Sequence, residues 1–390
     1  MLDSKTIEFI IAHREEDPRT LALQARRYLD VDMRKAVEQI EGWQHAKEKL
    51  PTWATTDGII YPPRISMEQC SSEATALYKA NLVKGVSIAD LTGGFGIDCS
   101  YMARRFKKAY YIERSKLLCD IARWNFQQLK LEHIDIINHN SEEILTTLPK
   151  LDWIFIDPAR RDSDGRKVVA LSDCEPNIVE LEEELLQKAT KVMIKCSPML
   201  DITAATKQLG NVEEIHVIAV NNECKELLMI LGNGATDDIP ITCVNMHREE
   251  HETFSFTATE EATAVAAYSN TIGHYLYEPN AAMQKSGCYR TLSQRLNINK
   301  LHPNSHLYTS DALVDAFPGR RFIVEKSMGF SKRDIKEIQS LGKANITVRN
   351  FPETAQNLRK KLKLADGGNT YLFATTVANG DKILAVCRKI

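Results

Sequence analysis

The sequence contains no long apolar run. None of its hydrophobic stretches approaches the roughly 20 residues that a membrane-spanning helix needs. The first 20 residues place charges on both sides of a very short apolar patch, whereas a secretory signal peptide has a longer apolar core. We therefore expect a cytoplasmic protein that has no membrane partner.

Closely spaced cysteine pairs are also absent. The chain has 9 cysteines, and none of them forms a C-x-x-C pair. Because zinc sites and disulfide scaffolds need characteristic cysteine spacings, neither is expected. Reduced thiols in a cytoplasmic protein are the simplest interpretation, and we predict no metal. The sequence also lacks internal repeats and low-complexity segments.

Charge is distributed unevenly along the chain. The net formal charge is −2, yet residues 281–390 contain 19 Lys and Arg against 8 Asp and Glu, a net charge of +11. The other 280 residues therefore carry a net charge of −13. A strongly basic end is typical of proteins that bind a polyanion such as RNA, although a solvated lysine-rich surface has the same composition. The oligomeric state is not indicated.

Residues 1–60 are predicted to be largely helical. The stretches "TIEFIIAHR" and "MRKAVEQIEGWQHAKEKL" have apolar residues three or four positions apart. The segment "PTWATTDGIIYPPR" then interrupts the pattern with three prolines and a glycine. A single helix is predicted next at "SMEQCSSEATALYKANLV", which Ser66 would cap with Gln69 three residues on.

Strands and helices alternate from residue 86 onward. Five apolar strands are predicted, each followed by a helix: "VSIADL", "KAYYIE", "IDIIN", "LDWIFID" and "TKVMIKC". Such alternation is typical of a parallel sheet covered by helices on both faces. Two further strands lie only a few residues apart, at "VEEIHVIAV" and "CKELLMILG", and predict an antiparallel hairpin. The fold class is therefore α/β over residues 61–234, with a Rossmann-like parallel sheet and a terminal antiparallel hairpin.

The pattern changes after residue 234. Residues 235–319 are expected to form a ferredoxin-like α+β segment or a linker, with strands at "ITCVNM" and "TFSFTATE". Residues 320–390 are predicted to run strand–helix–strand–helix–strand–strand, which describes a small α+β domain.

The stretch "ADLTGGFGID" joins the first strand to a helix. Gly94 and Gly96 match the first two glycines of a dinucleotide-binding turn, but Cys99 occupies the third position. Asp90 would repel a phosphate, whereas it could accept hydrogen bonds from an ammonium group. S-adenosylmethionine (SAM) has such an ammonium and no phosphate, so SAM is the predicted cofactor and Thr92 joins its binding residues. The alternative is a tight turn that binds nothing.

Polar residues also follow the second and third strands. Glu113 lies 23 residues after Asp90, close to the offset of a ribose-binding carboxylate, although a surface Glu that opens a helix would look the same. Asn140 or Ser141 could contact the adenine amino group. Either residue could instead cap the following helix.

The fourth strand ends in "IDPARR". This Asp-Pro dipeptide resembles the D/N-P-P-x motif of methyltransferases that act on nucleobases. Asp157 and the Pro158 carbonyl would accept hydrogen bonds from a base and align it with the methyl group, and Asp157 would also face the cofactor. Arg160 is assigned to catalysis, and Arg161 would contact a substrate phosphate or stack on a base. A plain Asp-Pro turn is the alternative.

The fifth strand ends in "MIKCSPMLD". Cys196 could add to a pyrimidine ring as a thiolate, because a Cys-x-Pro at this strand end is similar to that of RNA 5-methyluridine methyltransferases. Lys195 could lower the pKa of that thiol, and both residues are assigned to the substrate side. The alternative is a small buried core residue.

Taken in order, these motifs resemble the class I SAM-dependent methyltransferases over about residues 60–234. The matching series is Asp90-x-Thr92-x-Gly94-x-Gly96, Glu113 and Asp157-Pro158-Ala159-Arg160. The layout of the whole chain is similar to a bacterial group of methyltransferases that carry a THUMP-like C-terminal domain. The stretches that carry this likeness are "YPPRISMEQCSSEATALYKA" and "LYEPNAAMQKSGCYRTLSQRL…FPGRRF".

This resemblance implies SAM as cofactor and RNA as partner, because THUMP domains serve RNA-modifying enzymes. We therefore expect SAM-dependent methyl transfer to a base of tRNA or rRNA, held through the basic C-terminal region. Two alternatives are compatible with the same residues. One is a methyltransferase of a protein or small molecule, and the other is a non-catalytic RNA-binding factor that retains the SAM fold.

Overall fold

The computed structural model describes residues 2–160, 171–247 and 250–390. The chain forms two units, Met1–Glu213 with Met229–Ala235, and Glu214–Leu228 with Thr236–Ile390. Within the described ranges no helix is both long enough and apolar enough to span a lipid bilayer.

The helices are numbered in chain order. They are α1 (Ser4–His13), α2 (Pro18–Leu23), α3 (Met33–Lys49), α4 (Pro51–Thr55), α5 (Arg64–Gln69), α6 (Glu73–Leu82), α7 (Ile97–Ala103), α8 (Lys116–Gln128), α9 (Ser141–Leu145), α10 (Ile178–Lys188), α11 (Ile202–Gln208), α12 (Ala258–Thr263), α13 (Ala281–Ser286), α14 (Tyr289–Leu296), α15 (Lys332–Gln339) and α16 (Ala355–Leu362).

The strands follow the same convention. They are β1 (Ser87–Asp90), β2 (Lys108–Ile112), β3 (Ile134–Ile137), β4 (Leu151–Ile156), β5 (Ala159–Arg160), β6 (Cys174–Glu175), β7 (Ala189–Cys196), β8 (Val212–Val220), β9 (Glu223–Gly232), β10 (Pro240–Met246), β11 (His251–Thr257), β12 (Tyr275–Pro279), β13 (Asn299–Lys300), β14 (Tyr308–Ser310), β15 (Gly319–Met328), β16 (Asn345–Arg349), β17 (Thr370–Thr376) and β18 (Lys382–Lys389).

The N-terminal helices form as their apolar spacing predicts, with one correction. The predicted helix that begins at Ser66 is wrong, because the chain forms two helices, α5 and α6, with extended backbone at Cys70 and Ser72. The hydroxyl of Ser72, not Ser66, caps the second helix by accepting a hydrogen bond from the Thr75 N–H at 3.2 Å. The apolar spacing thus continues through a break between two helices, and Ser72 caps the second of them.

The first unit contains the expected parallel sheet. Its strands lie in the order β7–β4–β1–β2–β3, and every adjacent pair is parallel. Strand β4 is almost wholly apolar and buried, as a strand covered on both faces must be. The strand order reverses between β1 and β4, and ligands of such sheets bind at the carboxyl ends of the strands beside that reversal.

The predicted hairpin is formed by β8 and β9, which are neighbours in the sheet. Its tip is Asn221-Asn222, and both residues have positive φ values, 50° and 64°. Asparagine tolerates this left-handed conformation, which two-residue hairpin turns require. Strand β8 also pairs in parallel with β10, which pairs antiparallel with β11. The hairpin is therefore followed by two more strands of the same sheet.

A separate seven-stranded sheet lies in the C-terminal part of the chain. Its strands lie in the order β13–β14–β12–β15–β18–β17–β16. Helices α15 and α16 pack on it through Ile338, Leu358 and Leu362, which join Leu372 and Leu384 in one buried cluster. The predicted order of strands and helices after residue 319 is present. Strands β12 to β14 were not predicted.

Candidate active site

The glycine turn lies between β1 and α7 at the carboxyl edge of the parallel sheet. Gly94 and Gly96 both have positive φ values, 53° and 87°, and Gly96 is the residue that precedes α7. The N–H of Gly93 donates to the Ile112 carbonyl at 2.8 Å, which ties the turn to the end of β2. Glycine adopts positive φ without a steric cost, so the sequence can make this sharp turn.

Tyr111 lies directly beneath the turn and was missed by the sequence analysis. A Cβ atom at Gly93 would lie only 2.2 Å from Cε2 of Tyr111, so the tyrosine ring requires a glycine there. The Tyr111 hydroxyl donates to the Gly94 carbonyl at 2.6 Å. This close approach fixes the turn on strand β2. The sequence feature that could have indicated this close contact is Gly93, an additional glycine directly before Gly94.

Asp90 is a buried acid at the end of β1. It is only 2% exposed, and its Oδ1 accepts a hydrogen bond from the Thr92 N–H at 3.0 Å. Burial raises the pKa of Asp90 well above its usual value, although the Thr92 N–H opposes that shift, and the nearby carboxylates of Asp98 and Asp157 add to it. A cation bound here would relieve this penalty, since an opposite charge favours the ionised form.

Glu113 follows β2 and is fastened by two backbone donors. Its Oε2 accepts from the Gly94 N–H at 3.0 Å, and its Oε1 accepts from the Ser115 N–H at 2.7 Å. A carboxylate offers about four acceptor sites, so each oxygen can still accept from a hydroxyl group. The half-buried side chain is thus held at the glycine turn with acceptor capacity to spare.

The residues that follow β3 serve local structure. Asn140 caps α9, because its Oδ1 accepts a hydrogen bond from the Glu142 N–H at 2.9 Å. Ser141 is the first residue of that helix and is half-buried. Asn138, which was not predicted, donates to the Glu113 carbonyl at 2.9 Å and so fastens the ends of β2 and β3 together.

Asp157 lies next to the turn at the end of β4. Its backbone N–H donates to Oγ1 of Thr92 at 2.7 Å, and its Oδ2 accepts from Nζ of Lys195 at 2.5 Å. The structure therefore brings Thr92, Asp157 and Lys195 together. Pro158 follows and is half-buried.

The two predicted arginines are only partly described. The backbone of Arg160 lies in β5, which pairs with β6, and its side chain is outside the described part of the chain. Arg161 lies outside the described residues altogether.

Cys196 lies in the core. Successive strand residues point to opposite faces, so the Lys195 ammonium contacts Asp157 while Cys196 is buried at 6% exposure. Its Sγ lies 4.0 Å from the Ile194 carbonyl. Burial raises the pKa of Cys196 well above that of a free thiol. The thiol is thus predominantly protonated at neutral pH, as expected for the core-residue alternative.

Aromatic residues from the N-terminal region pack on the glycine turn. The Trp53 ring lies edge-on to the Phe95 ring, with the centroids 4.9 Å apart, and Tyr61 lies 6.4 Å from the same ring. Trp53 is almost completely buried. The helices before the sheet therefore support the site, a role that helical periodicity alone does not show.

Comparison with known proteins identifies the chain. A crystal structure of a protein from Porphyromonas gingivalis W83, assigned as a methyltransferase, is 36% identical, and the match covers 100% of both chains with a TM-score of 0.89. Residues 319–389 match the THUMP domain-like family, and residues 275–318 match a ferredoxin-like domain family. The chain belongs to the SAM-dependent methyltransferases with a THUMP-like C-terminal domain.

A second relative agrees with the class of reaction. A cobalt-precorrin-6B C(15)-methyltransferase (decarboxylating) assigned in Sulfolobus acidocaldarius is 25% identical over 139 residues, which cover 35% of this methyltransferase and 72% of the relative. The cofactor of the family is SAM. The donor set fits it, because the site offers buried and half-buried carboxylates for an ammonium and for hydroxyls, and a glycine turn that permits close approach.

Proposed function

We propose that this methyltransferase acts on a base of structured RNA, tRNA or rRNA, which the C-terminal domain binds. The observation that carries this proposal is the coincidence of a THUMP-like match over residues 319–389 with a net charge of +11 over residues 281–390. Backbone phosphates supply most of the affinity of such complexes, so a lysine-rich surface is what RNA requires.

The charge is concentrated on helices α15 and α16 and on the loops that follow them. Six exposed basic residues there, unlike Lys326 and Lys361, form no salt bridge within the described chain. They are Lys332, Arg333, Lys336, Lys343, Lys360 and Lys363. We name this set the basic face. Because 9 Lys and Arg stand against 3 Asp and Glu over residues 332–363, this part of the chain carries a positive field that can attract a polyanion.

On the cofactor side, we propose that five residues bind SAM or shape its site. Asp90 would pair with the ammonium of SAM, and Glu113 would accept hydrogen bonds from the ribose hydroxyls. Gly94 and Gly96 would let the backbone approach the methionine part, and Thr92 holds the turn against Asp157. Asn140 and Ser141 form the nearby start of α9 and would lie beside the adenine.

On the acceptor side, Asp157 would orient the base. Bound SAM supplies an electrophilic methyl group on its sulfonium. The Asp157 carboxylate and the Pro158 carbonyl would accept hydrogen bonds from a ring N–H or amine, and so hold the lone pair of the acceptor in line. The Lys195 ammonium donates to Asp157 Oδ2 and holds this carboxylate in place. Arg160 would support the same base, and Arg161 would contact substrate phosphate.

The direct test is mass spectrometry of nucleosides from total tRNA and rRNA of a strain that lacks the gene, compared with its parent. We expect one methylated nucleoside to be missing and to return with a plasmid-borne wild-type gene. An unchanged nucleoside profile, together with methyl transfer from labelled SAM into protein or small molecules of the extract, would support the alternative substrate class instead.

RNA binding by the basic face has its own test. In the triple variant Lys332→Ala, Arg333→Ala, Lys336→Ala, we expect the slope of log K against log[salt] to fall by about 2–3, since each phosphate contact contributes about 0.7–0.9. A matched variant replaces Lys107, Lys150 and Lys207, which are also exposed and unpaired among the described residues of the other unit. Equal slopes for both variants would remove the basic face from the binding account.

A further inference from the structure

A chain of alternating charges runs from the interior of the first unit to Asp157. The Lys79 ammonium lies 3.1 Å from Oδ1 of Asp98, and the Lys195 ammonium lies 4.0 Å from Oδ2 of Asp98. Lys195 in turn lies 2.5 Å from Asp157. The Ser71 hydroxyl donates to Asp98 Oδ2 at 2.7 Å. Two ammonium groups thus alternate with two carboxylates.

Burial decreases along this chain toward the cleft. The side chain of Lys79 is 0% exposed and that of Asp98 is 10% exposed, whereas Asp157 is 38% exposed. Lys79 lies on the buried face of α6, and Asp98 lies in the first turn of α7, directly after the glycine turn. Through Asp98, the buried Lys79 therefore contacts α7, the helix that begins at the glycine turn.

Asp98 remains ionised despite its burial. Burial raises its pKa, but the ammonium groups of Lys79 and Lys195 and the Ser71 hydroxyl outweigh that penalty and hold the pKa below its usual value. An ionised Asp98 can attract either lysine. Lys79 is the nearer one, since its ammonium lies 3.1 Å away against 4.0 Å for Lys195.

We infer that Lys79 is a positioning residue of the methyl-transfer site, because by pairing with Asp98 it leaves Lys195 for Asp157. Without Lys79, Asp98 is a buried carboxylate that lacks its closest counter-ion, and such a charge recruits any cation within reach. Lys195 lies within reach. It would move to Asp98, and the Asp157 carboxylate would lose the ammonium that holds it in place.

This inference predicts that removing Lys79 and removing Asp98 have different effects on turnover. In Lys79→Met, Lys195 is drawn from Asp157, so turnover falls. In Asp98→Asn, the competitor for Lys195 is removed, so its contact with Asp157 persists. In the double variant Lys79→Met, Asp98→Asn, the competitor is also gone and turnover recovers. If the Lys79–Asp98 pair only stabilised the fold, Lys79→Met and Asp98→Asn would reduce turnover about equally.

The first experiment is crystallographic and needs no acceptor. Crystal structures of Lys79→Met and of the double variant locate the Lys195 ammonium. We expect it on Asp98 in the single variant and on Asp157 in the double variant. A Lys195 that stays on Asp157 in Lys79→Met overturns the inference. Lys116→Met is the matched control, because it breaks an exposed lysine–aspartate pair, Lys116–Asp120, in the same unit.

The second experiment measures turnover, with labelled SAM and RNA from a strain that lacks the gene. In Lys79→Met we expect kcat to fall about tenfold, with KM for SAM nearly unchanged, because Asp157 loses the ammonium that positions it. The double variant should recover most of the wild-type kcat. Equal kcat values in wild type and Lys79→Met, or in Lys79→Met and the double variant, would contradict the inference.

The kinetic experiment rests on the proposed function. If wild-type protein transfers no methyl group to RNA, the proposed substrate is wrong, while the crystal structures still decide the role of Lys79.

Discussion

The hydroxyl oxygen of Thr92 accepts a hydrogen bond from the backbone N–H of Asp157 at 2.7 Å. Thr92 belongs to the turn after β1, and Asp157 follows β4, so one short bond joins the proposed cofactor and acceptor sides. Methyl transfer depends on alignment, and a misplacement of about 1 Å can cost about 100-fold in rate. In the proposed site, this bond would hold the geometry on which turnover depends.

Thr92→Val is expected to reduce kcat by about 10- to 100-fold, because valine keeps the shape of threonine but cannot accept the Asp157 N–H. Steady-state methylation at saturating SAM measures this effect. Thr92→Ser keeps the acceptor oxygen and should retain most of the activity. Similar rates for the valine variant and wild type would show that the bond is dispensable.

Glu113→Gln is expected to weaken binding of the product S-adenosylhomocysteine (SAH) about 10- to 100-fold, since hydrogen bonds to a charged group are worth about 1.5–3 kcal/mol. Isothermal titration calorimetry gives the dissociation constant. Glu132→Gln is a suitable control. Glu132 is exposed in the loop between α8 and β3, and it lies away from the carboxyl end of β2, which Glu113 follows. Equal affinities for both variants would remove Glu113 from the cofactor site.

Cofactor binding is expected to depend on pH through Asp90. Burial raises the pKa of Asp90 in the free protein, and pairing with the cofactor ammonium requires the carboxylate. Affinity for SAH should therefore rise with pH below that pKa, and binding should release a proton. Calorimetry in two buffers of different ionisation enthalpy measures the proton. In Asp90→Asn both the pH dependence of SAH affinity and the proton release should vanish, and the affinity should be low throughout.

The raised pKa of Asp90 also predicts an effect on stability. The free energy of unfolding should fall as the pH rises, whereas affinity for SAH should rise. A carboxyl whose folded-state pKa is raised stabilises the fold below its unfolded pKa, and this contribution is lost as pH rises through the folded pKa. Asp90→Asn, which keeps an acceptor for the Thr92 N–H, should then be more stable than wild type at pH 7. Thermal unfolding without cofactor checks this, and a less stable variant would contradict it.

The parallel sheet and the order of its polar strand ends were accessible from the sequence. The apolar strands β1 and β4 are short and continuous, and the acids at their carboxyl ends, Asp90 and Asp157, interrupt an otherwise apolar pattern. Parallel strands meet at one edge, so these residues had to converge. The long-range partners were not accessible. Lys79 looks like any helical lysine, and only packing of α6 against α7 shows that it is buried beside Asp98.

The role of Cys196 likewise could not be predicted from the sequence alone. Its place at a strand end allowed either a nucleophile or a core residue, and the sequence could not decide, because burial is a property of the whole fold. In the structure burial raises the pKa of its thiol.

Cys196→Ala is accordingly expected to keep methylation within about threefold of wild type, since a protonated thiol is a poor nucleophile. The same assay with labelled SAM and RNA measures it. Cys119→Ala, which removes another buried cysteine of the same unit, controls for the loss of packing. A loss of more than about 100-fold in Cys196→Ala alone would instead establish covalent catalysis.

The most direct test of the account is methyl transfer by Asp157→Asn. The purified wild-type protein and the variant are incubated with labelled SAM and with RNA from a strain that lacks the gene, and SAH binding is measured in parallel. We predict that wild type labels the RNA, that Asp157→Asn is at least about 100-fold slower, and that both bind SAH similarly. Wild-type turnover by Asp157→Asn would contradict the proposed site.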